Sequence, residues 1–142
     1  MLHQSQAVQA ETLARRVPHL MPNERTGLAT FVNRLYQCYE TNLLQVVLFG
    51  SKARCDFDEE SDLDVLVVVH MSDNHYWEYW HEIVDIAADV GLTYGLVISS
   101  IVKNARDYSE ICAHQSLLAR NLERDGIVLW TTRPSTHTSQ PI

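Results

Sequence analysis

A chain of 142 residues with 46% apolar and 20% charged side chains has the size and balance of one globular domain, which excludes wholesale disorder and any need for disulfides or a structural metal. Eighteen acidic against eleven basic residues leave a net charge of −7, which excludes broad, sequence-independent binding to a nucleic-acid backbone. The acidity is concentrated, because residues 50–64 hold six acids and two bases, a local −4 that leaves −3 for the rest of the chain.

Cys38, Cys55 and Cys112 show neither CxxC nor zinc-ligand spacing, and an odd number fits poorly with a secreted disulfide framework. The N-terminal stretch MLHQSQAVQAETLARR lacks the basic-then-apolar layout of a signal peptide. No apolar run approaches the roughly 20 residues that span a bilayer. A cytoplasmic protein without a membrane partner is expected.

From His3 to Val17 the pattern is helical but weakly amphipathic, and Pro18 ends it. From Asn23 to Glu40 the apolar set Leu28, Phe31, Val32, Leu35 and Tyr39 follows the helical i, i+3, i+4, i+7 spacing. Leu43–Phe49 reads as a strand stopped by Gly50. Asp62–Val69 reads as a second strand, its β-branched run suited to burial on both faces. Ser72 or Asp73 is expected to cap a helix to Val90, with Trp77, Trp80, Val84, Ala87 and Ala88 as its apolar face and Gly91 just past its end. Thr93–Val102 is expected as a third strand. One helix over Asp107–Arg124 would align Ile111, Leu118 and Leu122, and Ile127–Trp130 closes the ordered part. The stretch from Thr131, with two prolines and several hydroxyl residues, reads as a flexible tail. Alternating helices and strands imply an α/β fold, a small mixed β-sheet flanked by helices. The expected division is a helical extension over 1–42, a core over 43–130 and a tail over 131–142.

The stretch VVLFGSKARCDFDEESDLDVLVVV (Val46–Val69) carries the chemistry. Gly50, without a Cβ, lets the backbone leave the strand sharply and approach a ligand closely. Ser51 then offers a hydroxyl and an N–H at the start of a short helical turn, a ready site for a phosphate. Asp62 and Asp64 fall on one face of a strand, where two close carboxylates repel and a hard divalent cation resolves the conflict. Asp56, Asp58 and Glu60 also alternate, but Ser61 replaces the glycine that a calcium loop requires. A phosphate grip beside paired carboxylates is the minimum apparatus for metal-assisted phosphoryl or nucleotidyl transfer.

Gly50-Ser51, ten residues, then Asp62-x-Asp64 resembles the signature of the nucleotidyltransferase superfamily that includes DNA polymerase β. The string GSKARCDFDEESDLDVLV is similar to that of its minimal nucleotidyltransferases, the MNT proteins, among them antitoxins of HEPN-domain toxins. The resemblance implies the nucleotidyltransferase fold over about residues 43–130, with additional N-terminal helices. It implies that Gly50 and Ser51 hold the triphosphate, that Arg54 contacts phosphate, and that Asp62 and Asp64 bind two Mg2+. The implied activity is transfer of AMP from ATP to a hydroxyl on a partner protein, a HEPN toxin. The alternatives are a catalytically weak protein of the same fold that neutralises its partner by contact, or a small-molecule nucleotidyltransferase of the antibiotic-modifying kind. Two Mg2+ would cancel the local −4, so nucleotide binding is expected to require metal. A homo- or hetero-oligomer is compatible with either reading.

The chain departs from the family pattern in two places. Cys55 stands where the family string has a second glycine, a substitution costing about 1 kcal/mol if the position needs a positive φ. Active members carry a third carboxylate on the strand corresponding to Thr93–Val102, and TYGLVISSIV holds none. Thr93 or Tyr94 is a candidate for that place, or an acid from elsewhere, such as Asp89, Asp107 or Glu110. His70, His75 and His81 match no common zinc spacing and read as exposed or satisfied, with His70 the one within plausible reach of the site. Trp77 and Trp80 read as core residues.

Overall fold

The computed structural model describes residues 10–55 and 62–132. Along them run α1 (Ala10–Arg16), α2 (Pro22–Tyr39), β1 (Leu43–Phe49), the one-turn helix α3 (Ser51–Arg54), β2 (Leu63–Val69), α4 (Tyr76–Tyr94), β3 (Ile98–Asn104), α5 (Ala105–Ala113), α6 (Leu117–Asp125) and β4 (Ile127–Thr131). The strands form one mixed sheet in the order β3-β2-β1-β4. β2 runs parallel to β3, and β1 runs antiparallel to both β2 and β4. The fold is therefore α/β with a small mixed sheet and flanking helices, as expected.

β2 lies inside the sheet, and six of its seven residues are buried, which accounts for its unbroken valine run. Alternation sends Leu63, Val65, Val67 and Val69 to one face, where they meet Leu13 of α1, Leu28, Phe31, Val32 and Leu35 of α2, and Ile83, Ile86 and Val90 of α4. That face holds most of the core, and the two N-terminal helices contribute to it directly. On the opposite face Val47, Leu66 and Val68 pack with Phe49, Ile101, Tyr108, Leu122 and Val128. Its covering helices, α5 and α6, bury none of their residues fully. Asp64 alternates with Leu63 and Val65, so it emerges on this thinly covered side.

Several elements differ from expectation, each for a physical reason. The fourth helix does not stop at Gly91 but continues to Tyr94, and Gly95, at φ +73°, takes the left-handed position after it. Its N–H and that of Leu96 both reach the Gly91 carbonyl, at 2.8 and 3.0 Å. Gly91 serves another purpose, because a Cβ there would stand 2.5 Å from the Leu96 carbonyl oxygen. β3 consequently begins at Ile98 rather than Thr93. The start of α4 is also displaced, since a 3-10 turn over Asp73–His75 precedes it and His75 holds the cap position. Its buried face is Ile83, Ile86, Ala87, Val90 and Gly91, whereas Trp77 is 66% exposed and Ala88 is exposed. Trp80 is partly buried against the core.

The single helix expected over Asp107–Arg124 is two. Gln115 adopts φ +51°, and the Ser116 hydroxyl accepts the Ala119 N–H at 3.1 Å, opening α6. The closing segment is a strand that includes Thr131, one residue past the expected boundary. The expected helix start at His3, the acids Asp56, Asp58 and Glu60, Ser61, and the tail from residue 133 lie outside the described residues.

Candidate active site

The turn between β1 and β2 begins at Gly50, whose φ of +82° and ψ of −160° belong to a region that side chains other than glycine scarcely enter. In the β1–β2 ladder Phe49 pairs with Asp64, which sets the Asp64 carboxylate over the next residue. A Cβ on Gly50 would stand 2.3 Å from Asp64 Oδ2. The glycine thus admits a carboxylate of the protein itself to the turn.

From Gly50 the chain winds into α3, its carbonyl accepting the Ala53 and Arg54 N–H groups at 3.1 Å each. Ser51 opens the turn and is half-buried. Cys55 ends it in the left-handed region, at φ +69°, and its N–H donates to the Ser51 carbonyl. Cys55, the one departure from glycine in the motif string, therefore falls on a position that does favour glycine. Arg54 projects outward and lies 3.9 Å from Asp125, the last residue of α6.

Asp62 is exposed just ahead of β2, while Asp64 is half-buried. Burial raises the Asp64 pKa, the charge of Asp62 raises it further, and Arg54 opposes both. The pair thus keeps a repulsion, only partly offset by Arg54, that a cation would remove. Mg2+ commonly binds through one or two carboxylates, completing its shell with water and substrate phosphates, so Asp62 and Asp64 fit it. Among the described residues no cluster of three or more His, Cys, Asp or Glu side chains forms a fuller metal cage.

The β3 position paired with Asp64 is Ser99, and β3 carries no carboxylate. Thr93 and Tyr94 belong to α4 rather than β3, where Thr93 bonds the Asp89 carbonyl and Tyr94 shares a hydrogen bond with Thr30. Asp89 pairs with Arg34 at 2.5 Å on the helical side. Asp107 follows Asn104, which pairs with Val69, and so stands at the far end of the sheet from Asp64. Glu110 is exposed on α5. His70 follows Val69 and is likewise at the far end, out of reach of the pair, and His75 and His81 are exposed.

Sequence reasoning missed two groups. One is Asp125, which lies beside Arg54 and one residue past the end expected for the last helix. The other is a buried pair, Lys52 of α3 on Glu24 of α2, with Nζ 2.6 Å from Oε2. A lysine next to a turn gave no local sign of burial. On the opposite side of the sheet from α2, the side onto which Asp64 emerges, a cleft of about 390 Å³ opens between β1, β4, α5 and α6, lined by Val47, Tyr108, Arg120, Leu122 and Val128. Burial and a hydrogen bond to Cys112 push the Tyr108 hydroxyl up to about 12, so it stays a donor there.

A mixed sheet that brings a glycine-serine turn against one of two neighbouring carboxylates is the arrangement expected of a nucleotide-transferring enzyme. Comparison with known proteins places the chain in that class. The family Polymerase beta, Nucleotidyltransferase matches residues 33–134. A Methanocaldococcus jannaschii protein named as a protein adenylyltransferase is 32% identical over 108 residues, covering 76% of this chain and 99% of that one. A second protein of that organism with the same designation is 43% identical over 58 residues, or 41% of this chain and 57% of the other. Among solved structures, a toxin–antitoxin crystal structure with AMP-PNP aligns at a TM-score of 0.45 and 19% identity, over 72% of this chain and 73% of that one. The chain belongs to the polymerase β nucleotidyltransferase family and is a nucleotidyltransferase.

Proposed function

We propose that the protein transfers AMP from ATP to a hydroxyl of a partner protein and serves as the antitoxin of a HEPN-type toxin in a reducing cytoplasm. The observation that carries the transfer is the seating of the Asp64 carboxylate against Gly50, which puts one of the two acids directly beside the turn. Gly50 and Ser51 hold the triphosphate, Arg54 contacts it from the outer side, and Asp62 and Asp64 are the residues that would hold Mg2+. That ion supplies charge neutralisation of the triphosphate when bound. One of the two carboxylates accepts the proton of the attacking hydroxyl. The new bond joins the acceptor oxygen to the α-phosphorus, the α–β phosphoanhydride bond breaks, and pyrophosphate leaves. Residues 43–130 carry this chemistry and the helices of 1–42 brace it. The protein adenylyltransferase designation of the M. jannaschii relatives supports a protein acceptor, and the MNT-like motif string supports the toxin partner.

Ser99 in place of a strand carboxylate favours a second reading, in which the fold neutralises its partner by contact with little turnover. Incubation with labelled ATP, Mg2+ and the product of the neighbouring gene separates the two. Label on that product, absent with Asp62→Asn/Asp64→Asn, is the expected result. Neutralisation that survives the double substitution without any label transfer would leave only the contact reading.

A further inference from the structure

Lys52 directly follows Ser51, yet its side chain is 1% exposed, and a buried ammonium is costly unless it is paired. Its partner, Glu24, is itself buried in the first turn of α2 and does two things at once. Oε2 accepts from Lys52 Nζ at 2.6 Å, and Oε1 accepts from the Met21 N–H at 2.9 Å, fixing the start of α2. From the chain between α1 and α2, His19 Nε2 reaches the Lys52 carbonyl oxygen at 2.5 Å. One residue of the turn is therefore gripped through both its side chain and its backbone, by two residues of the N-terminal segment. Both lie ahead of residue 33, where the match to the family begins.

Stability alone does not call for charge here, because well-packed apolar residues often match a buried ion pair. What charge and hydrogen bonds add is direction. They hold α3 at one height against α2, whereas apolar contacts tolerate sliding. We infer that Glu24 and His19 are positioning residues of the nucleotide site, acting through Lys52 to set the Gly50-Ser51 turn against Asp64. The N-terminal helices are on this account part of the binding apparatus as well as of the core. The inference rests on the reading of Gly50-Ser51 as the phosphate grip.

The test is titration calorimetry with Mg-ATP on the full chain, each variant held at a temperature where circular dichroism shows it folded. The variants are Ser51→Ala, Glu24→Gln and the paired Glu24→Leu/Lys52→Met, which removes both charges and leaves none buried alone. Ser51→Ala weakens binding if the phosphate reading holds. Glu24→Gln and the paired variant are expected to weaken it about tenfold, a difference of about 1.4 kcal/mol, while the paired variant, which also loses the acceptor of the Met21 N–H, still melts in one cooperative transition. A paired variant with wild-type affinity, beside a weakened Ser51→Ala, overturns the positioning role alone. Unchanged affinity in Ser51→Ala overturns the phosphate grip and the inference built on it.

Discussion

Asp64 is held at the turn by strand register, and the same register places its charge in a poor environment. Its pKa is raised by burial and by Asp62, so the folded chain binds that proton more tightly than the unfolded chain does. Stability therefore falls as pH rises through the carboxylate range, contrary to the behaviour of a salt-bridged acid. Asp64→Asn is expected to raise the melting temperature of the metal-free protein above that range, and the gain should vanish below it. Added Mg2+ should then stabilise the wild type and leave the variant unmoved, which thermal melts across pH will show. Cys55 offers a second residue-scale outcome, since φ +69° strains any side chain. Cys55→Gly is expected to stabilise the fold by about 1 kcal/mol in urea unfolding, with no loss of nucleotide binding.

Among the elements, those set by apolar period matched expectation closely. Leu28, Phe31, Val32, Leu35 and Tyr39 are all buried, and β1 spans Leu43–Phe49 as read. Element ends were less legible because they depend on contacts from elsewhere. Gly91 looked like a terminator, yet the helix passes through it, since Leu96 comes back to cover it and Gly95 supplies the left-handed residue. The break at Gln115 was written only in a serine at the start of a new cap. Ser116→Ala removes the acceptor of the Ala119 N–H and is expected to cost about 1 kcal/mol, read from urea midpoints. At the front of α4, Trp77 breaks the pattern, being apolar by type and solvent-facing by position.

For the whole molecule, the N-terminal helices are structural partners of the sheet. Leu13, Val17, Leu20, Leu28, Phe31 and Val32 are each at most 3% exposed, and their removal would bare the inner faces of Leu63, Val65 and Val67. A fragment over 33–134, the segment matched to the family, is accordingly expected to lack a cooperative melt, whereas the full chain shows one by calorimetry. The uneven charge also acquires a place. Of the acids behind the local −4, Asp64 stands at the glycine-serine turn with the charge of Asp62 acting on it, and Arg54 lies 3.9 Å from Asp125.

The amino-acid sequence by itself pointed to the class of this protein, through the resemblance of Gly50-Ser51, ten residues, then Asp62-x-Asp64 to the nucleotidyltransferase signature. It also determined the main helix and the two central strands, because apolar period is a property of neighbours along the chain. Only the tertiary structure decided what touches Gly50, which residue faces Asp64 across the sheet, and that Lys52 is buried on Glu24. Those pairs lie 14, 35 and 28 residues apart, respectively, and each is made by the packing of two elements. No local pattern marks such a contact, since the free energy that selects it is released only when the sheet and helices close on one another.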